Sequence, residues 1–561
     1  MAIDKIGRRS LLRAAVSGTV LVSAEAGSKI SDAPKPKSAS GGSIVASSSR
    51  GVVETTAGKV RGYTRNGIYT FKGIPYGGST AGNNRFMPPV KPTAWAGVRS
   101  TMHYGPVSPQ GPRAGWADDE NSFMFDWDDG QPGEDCLRLN VWTPSVNDNR
   151  KRPVMVWLHG GGFSAGSGQE LKSYDGENLC HRGDVVVVSL NHRLNVLGYL
   201  DLSQAGGEKF AESANVGMLD IVAALEWVRD NIANFGGDRD KVMIFGQSGG
   251  GGKVGALMAM PAAKGLFHRA AVQSGSMLRA GVPEDSTKLA SAVLAELDLS
   301  SSQLEKLQDV PVDHLIKASI AALRKVSPPQ PGPPDFRRMA RRLGWSPVVD
   351  GKVLPAHPFD PTAPAISANV PMLIGTVLNE FTNGIGKPDV DSFSEVDLKN
   401  RVADAHGDKS DKIIELYRRL HPNAHPFDIY SLISTASVRQ NAVTQAERKA
   451  AQGAAPAYLY WFTWQTPILD GRPRAFHCAE LAFVFDNTDR CETMTGGGPD
   501  ARLLGAKVSE AWIQFARTGD PNHKGLPKWS AFTAERVPTM IFDNKCEMKE
   551  NPDKEERAVV G

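Results

Sequence analysis

A serine hydroxyl is a poor nucleophile unless it is held clear of its own backbone, and one stretch of this chain supplies such a mount. Val242-Met-Ile-Phe-Gly-Gln-Ser-Gly-Gly-Gly-Gly252 is an apolar, strand-like run that breaks into Gly-x-Ser-x-Gly with a helical pattern beyond it. A sharp strand-to-helix turn presents its serine by straining it, and Gly246 and Gly250 stand where a β-carbon would collide with the tight backbone. Ser248 is the candidate nucleophile, and Gly249, next in the chain, can offer its N–H to a developing oxyanion. A second run, His159-Gly-Gly-Gly-Phe163, follows the buried-strand pattern Val154-Met-Val-Trp-Leu158. Consecutive glycines leave backbone N–H groups uncovered and free to converge on one oxygen. A serine of this kind also needs a base to take its proton and an acid to fix and stabilise that base. The chain has 12 histidines, so position must decide among them.

The run Phe235-Gly-Gly-Asp-Arg-Asp-Lys-Val-Met-Ile-Phe-Gly-Gln-Ser-Gly-Gly250 resembles the active-site serine signature of type-B carboxylesterases, the cholinesterase-like branch of the α/β-hydrolases. Gly133-Glu-Asp-Cys-Leu-Arg-Leu-Asn-Val-Trp-Thr-Pro144 resembles that family's second signature. The resemblance implies Gly161 and Gly162 as oxyanion donors with Gly249 as the third. It implies His477 as the base, from Ala475-Phe-His-Cys-Ala-Glu-Leu-Ala-Phe-Val-Phe485, and Glu380 as the acid, from Pro371-Met-Leu-Ile-Gly-Thr-Val-Leu-Asn-Glu-Phe381. Chain order Ser, acid, His is that of the fold. Phe381 stands where relatives usually carry glycine, so the turn at Glu380 is expected to differ. Ser274, in Val272-Gln-Ser-Gly-Ser276, matches a serine that supports the acid or the histidine. His159 is the nearest rival base, but its place at a strand end suits a structural role. Relatives commonly pair the cysteine at Cys136 with one upstream, where this chain has Ser108, so Cys136 is expected to be an unpaired thiol.

The elements that must position these groups follow from the apolar pattern. Val154–Leu158, Asp184–Leu190 and Val242–Phe245 read as central strands, with a helix over Val216–Ile232 between two of them. Alternating strands and helices imply a large, mostly parallel sheet flanked by helices, the α/β-hydrolase fold. Val52–Thr56 and Lys59–Tyr63 alternate as a small N-terminal antiparallel hairpin. Ser286–Lys325 reads as helices of a cap over the site, broken by Ser327-Pro-Pro-Gln-Pro-Gly-Pro-Pro334. Arg337, Arg338, Arg341 and Arg342 read as a solvated helical face without aromatic interleaving. The acidic and aromatic run from Trp116 to Asp129 reads as a loop pinned by its aromatics, with focusing of negative potential at a cleft mouth as the second reading.

A chain of 561 residues with 41% hydrophobic and 22% charged residues can bury a large core, and a net charge of +3 gives no reason to expect nucleic acid. Residues 1–26 read as a twin-arginine export signal, with Arg8 and Arg9, a mildly apolar run too short to span a bilayer, and Ala24-Glu-Ala26 as a cleavage pattern. That predicts an exported, periplasmic or secreted protein without a stable membrane anchor. Residues 27–50, rich in Ser, Gly, Ala and Lys, read as a disordered linker, and 51–561 as a single catalytic domain. Export of a folded chain fits five cysteines, an odd number, with Cys491 and Cys546 as the one pair left open. The expected function is a serine carboxylesterase acting on a small-molecule ester, without metal or cofactor. Two alternatives stand beside it: an inactive binding protein on the same fold, and a hormone-sensitive-lipase-like hydrolase. Oligomeric state is left open.

Overall fold

A twelve-stranded sheet organises the molecule. In spatial order its strands are Ile44–Val45, Tyr63–Arg65, Ile68–Pro75, Arg138–Thr143, Val186–Leu190, Arg152–Leu158, Gly237–Gln247, Arg269–Gln273, Met372–Val377, Ala457–Phe462, Pro538–Phe542 and Glu547–Glu550. The computed structural model describes residues 44–112, 118–328, 343–533 and 535–560. The expected export signal and the four arginines between 337 and 342 lie outside these.

Pairing is parallel from Val186–Leu190 through to Pro538–Phe542 and antiparallel toward both edges. The inner strands read as continuous apolar runs because both of their faces are covered. Val154, Val156, Val242 and Ile244 enter one buried cluster, while their chain neighbours Met155, Trp157, Met243 and Phe245 enter another on the opposite face. Helix Val216–Asn231 packs into the first cluster and helix Pro499–Thr518 into the second. The four neighbouring strands Arg152–Leu158, Gly237–Gln247, Arg269–Gln273 and Met372–Val377 run in parallel. Their C-terminal ends therefore open at one edge, where sheets of this type place ligands.

The N-terminal hairpin pairs Val52–Thr55 with Gly58–Arg61, and Val98–Ser100 adds a parallel third strand. The main sheet begins earlier than the linker boundary drawn at Gly51, because Ile44 and Val45 pair with Arg65 and Thr64. Two apolar residues give that short segment a strand to add to an open edge. In the expected cap, helices Pro283–Glu296 and Val312–Val326 pack against each other. Of the acidic run, Asp118 caps the helix Asp119–Phe125 by accepting the N–H of Asn121, Glu120 is held by Arg472 at 2.6 Å, and Phe125 stacks on Trp127. Ion pairs to Lys172 and Arg472 answer two of its carboxylates, Asp126 and Glu120. No described helix is long and apolar enough to cross a membrane.

One ion pair joins the sheet edge to its covering helix. Arg193, just after Val186–Leu190, gives Asp220 two side-chain bonds of 2.8 and 2.6 Å and a backbone bond of 3.0 Å, with both side chains fully buried. Removing one partner strands the other charge in a low-dielectric interior. Asp220→Ala should lower unfolding free energy by about 3–5 kcal/mol in urea titrations; a change under about 1 kcal/mol would show that the guanidinium finds other partners.

Candidate active site

Ser248 sits between the last residue of strand Gly237–Gln247 and the first of helix Gly249–Ala259, at φ 56° and ψ −125°. Such a conformation costs a non-glycine residue on the order of 1–3 kcal/mol and persists only where its surroundings enforce it. Here they do: Ser248 N–H donates to Gln273 O at 2.8 Å, and Ser248 O accepts the N–H of Gly252 at 3.1 Å. The flanking glycines are required by space as much as by torsion. A β-carbon on Gly246 would lie 2.5 Å from the Gly250 carbonyl carbon, one on Gly250 would lie 2.0 Å from Leu158 O, and one on Gly249 would lie 2.2 Å from Gly162 O. The serine turn and the His159–Phe163 loop thus meet backbone to backbone. Gly161 and Gly162, both at positive φ, turn that loop beside the N-terminus of helix Gly249–Ala259, where the first-turn N–H groups have no partner within the helix.

His477 and Glu380 come together from segments 97 residues apart. His477 N–H donates to Glu380 O at 2.9 Å, and Glu380 and Phe476 form an isolated parallel bridge. The side chains meet with His477 Nδ1 2.5 Å from Glu380 Oε2, both fully buried. Nδ1 is the donor in this contact, which leaves Nε2 as the acceptor. At this turn Glu380 is at φ 41°, and the Phe381 ring lies over the imidazole with centroids 3.9 Å apart. The Gln247 amide nitrogen lies against the imidazole, 3.0 Å from Nε2 and 3.4 Å from Nδ1, and Gln247 Oε1 accepts the Cys478 thiol at 3.3 Å.

Ser248, His477, Gly161, Gly162, Gly249 and Ser274 line one cavity of about 1110 Å³. Its wall is mostly apolar, with Trp127, Phe163, Leu289, Trp345 and Phe381 among the contributors. Ser274 departs from its expected role. It sits beside the histidine and serine at φ 49°, but its hydroxyl is buried without a hydrogen-bond partner and supports neither Glu380 nor His477. Its N–H is taken by Gly375 O at 2.8 Å. His159 is fully buried, bonded through Nδ1 to Gly160 O at 3.0 Å, and its pKa is pushed well below 6.5 by burial and then by the Lys253 charge.

All five cysteines are buried and unpaired, Cys491 and Cys546 included. Burial pushes the Cys136 thiol up to about 12, and Ser108 instead accepts the N–H of Leu194 at 3.2 Å.

Two residues escaped the sequence reading. Lys253 is a fully buried lysine one turn along helix Gly249–Ala259. Glu480 is a second buried carboxyl near Glu380, with Oε1 accepting from Gln273 Nε2 at 3.3 Å and Oε2 unpartnered. Burial, and then the Glu380 charge, push its pKa up from 4.5 to about 8. Burial and the neighbouring Glu380 carboxylate both favour the protonated form of Glu480. The only sequence signal was an acidic residue inside the apolar run Ala475–Phe485.

The sheet and its flanking helices are those of the α/β-hydrolase fold. The carboxylesterase family model matches residues 49–560, and the chain belongs to that family and is a carboxylic ester hydrolase. It is 36% identical over 519 residues to a para-nitrobenzyl esterase of Bacillus subtilis (strain 168), covering 90% of this chain and 97% of the relative. It is 32% identical to a phenmedipham hydrolase of Pseudarthrobacter oxydans, covering 88% and 96%. A solved carboxylesterase of Geobacillus stearothermophilus superposes with a TM-score of 0.75 at 35% identity, covering 91% of this chain and 100% of that one.

The Glu480 proton has a measurable consequence. Between pH 4.5 and about 8 the folded protein holds a proton that the unfolded chain has released, so unfolding free energy falls as pH rises through that window. One full proton corresponds to a slope of about 1.4 kcal/mol per pH unit. Glu480→Gln should flatten that part of the stability profile, gaining on the parent at pH 8 relative to pH 5. Parallel profiles for the two proteins would mean that Glu480 is ionised in the fold.

Proposed function

We propose that the chain hydrolyses carboxylic esters through an acyl-enzyme on Ser248, with His477 as general base and acid and Glu380 as the acid that orients it. The observation that carries this reading is the buried 2.5 Å contact between His477 and Glu380 in a cavity that the strained Ser248 also lines. Ser248 Oγ bonds to the ester carbonyl carbon while its proton passes to His477 Nε2. The carbonyl π pair moves onto oxygen, where the N–H groups of Gly161, Gly162 and Gly249 receive it. Collapse of the adduct breaks the bond to the alcohol oxygen, which takes the proton from His477. Water then repeats the sequence and releases the acid. Glu380, accepting from Nδ1, holds the tautomer that leaves Nε2 basic and stabilises the imidazolium.

The apolar wall and the volume of the cavity suit esters with an aryl or bulky alkyl group, and a relative named as a para-nitrobenzyl esterase supports that class. Retention of all three residues speaks against the binding-protein alternative.

Ser248→Ala should lower turnover of an aryl ester by on the order of a thousandfold or more with the fold retained, and an organophosphate should add one mass increment to the parent at Ser248 alone. Labelling at another serine would overturn the assignment. Glu380→Gln should lower turnover strongly with KM nearly unchanged.

We also infer export by the twin-arginine route, supported by residues 5–26 and by five unpaired thiols that need no oxidising compartment to fold. With Arg8 and Arg9 both replaced by Lys, active enzyme should accumulate in the cytoplasm of a bacterial host; unchanged export would contradict this.

A further inference from the structure

Lys253 has no counterpart among the groups that the reaction uses, yet it is fully buried against them. It lies in the first turns of helix Gly249–Ala259, which begins one residue after Ser248. Its ammonium donates to His159 O at 2.9 Å and reaches Gly160 O at 3.4 Å, and it lies 5.8 Å from the Phe163 ring. Those carbonyls belong to the loop that carries Gly161 and Gly162. A peptide unit transmits such a contact. Gly160 C=O and Gly161 N–H are two ends of one planar amide, and a cation on the oxygen draws electrons away from the nitrogen and makes its hydrogen a stronger donor. His159 Nδ1, 3.0 Å from the same Gly160 oxygen, can add a second donor to it.

We propose that Lys253 is a positioning residue for ester hydrolysis: its charged ammonium clamps the His159–Phe163 loop and polarises the Gly160–Gly161 amide toward the oxyanion. This rests on the acyl-enzyme reading above. It adds an ionisation to the reaction, because the clamp works only while the amine keeps its proton. Burial lowers the Lys253 pKa to about 7, with the Glu170 carboxylate opposing that shift. The other titratable groups facing it are His159 and His192, whose rings stack 5.0 Å apart, and burial holds both well below 6.5, so neither gains charge as the amine loses it. Loss of the Lys253 proton should then weaken the oxyanion site as pH rises through and above 7. Glu480, raised to about 8 near Glu380, is another group that titrates in this range and must be separated from it.

The test uses a trifluoromethyl ketone, whose adduct with a catalytic serine carries the oxyanion, on the intact parent enzyme. Its affinity should weaken roughly tenfold between pH 6.5 and 8.5, a fraction of what loss of a whole oxyanion donor costs, while an unreactive alkyl ketone of the same shape binds independently of pH. Lys253→Met, an unbranched replacement of similar length, should lower kcat by about tenfold with KM within about twofold and abolish the alkaline fall. Glu480→Gln should retain that fall. The clamp is overturned if the parent's affinity is flat across this range, if Glu480→Gln removes the fall, or if Lys253→Met keeps both parental kcat and the fall. Should Lys253→Met fail to fold, the parent and Glu480→Gln titrations still decide. A parent that hydrolyses aryl esters and forms the adduct with flat affinity counts against the clamp alone; one that forms no adduct counts against the acyl-enzyme reading.

Discussion

The close approach of two backbones is the constraint from which the rest of the site follows. The serine turn and the His159–Phe163 loop touch without side chains between them, with room at Gly249 and Gly250 for hydrogen and nothing larger. That contact is possible because strands Arg152–Leu158 and Gly237–Gln247 are parallel neighbours in register, Leu158 opposite Gly246. Both chains therefore leave the sheet at the same level. Any larger residue would push the loop away from the helix N-terminus and separate the N–H groups proposed to share one oxygen. Glycine at Gly161, Gly249 and Gly250 is a packing requirement, whereas at Gly162, where a β-carbon would meet nothing, it answers the positive φ of the turn.

Around that contact the protein buries charge that it manages by different means. Glu380 is matched to His477. Glu480, close by, has one weak partner, and burial favours its protonated form. Lys253 is answered by backbone carbonyls instead of a carboxylate. In a low-dielectric interior each choice sets which groups can change charge near neutral pH and which cannot. On the proposed mechanism only one proton should travel between Ser248 and His477, and the surrounding groups are arranged so that Glu380, and not Glu480, is the carboxylate that answers the imidazolium.

What the sequence disclosed was carried by backbone. Glycines at Gly246, Gly249 and Gly250 report a turn that tolerates nothing else, and apolar runs at Val154–Leu158 and Val242–Phe245 report strands covered on both faces. His477 and Glu380 were legible because short segments with family resemblance place them, and the structure brings these two into contact. What stayed hidden was side-chain environment. Lys253 follows a glycine run on a helix and looks like any exposed lysine until the loop it supports is folded over it. Glu480 looks like an ordinary acidic residue. Ser274 was expected to support the pair by position, but its hydroxyl bonds to neither among the described residues, and no local pattern announces that or its positive φ. The early start of the sheet at Ile44 depends on an edge that exists only after Tyr63–Arg65 is in place.

The central claim is geometric: one serine, one histidine–glutamate pair and three backbone donors act on a single carbonyl. A crystal structure of the enzyme with a trifluoromethyl ketone bound tests it directly. The account predicts a covalent bond from Ser248 Oγ to the former carbonyl carbon. It places the adduct oxygen within hydrogen-bonding distance, about 2.7–3.1 Å, of the N–H groups of Gly161, Gly162 and Gly249, with His477 Nε2 facing the serine oxygen. An adduct on another residue, or an adduct oxygen pointing away from the three glycines, would contradict it.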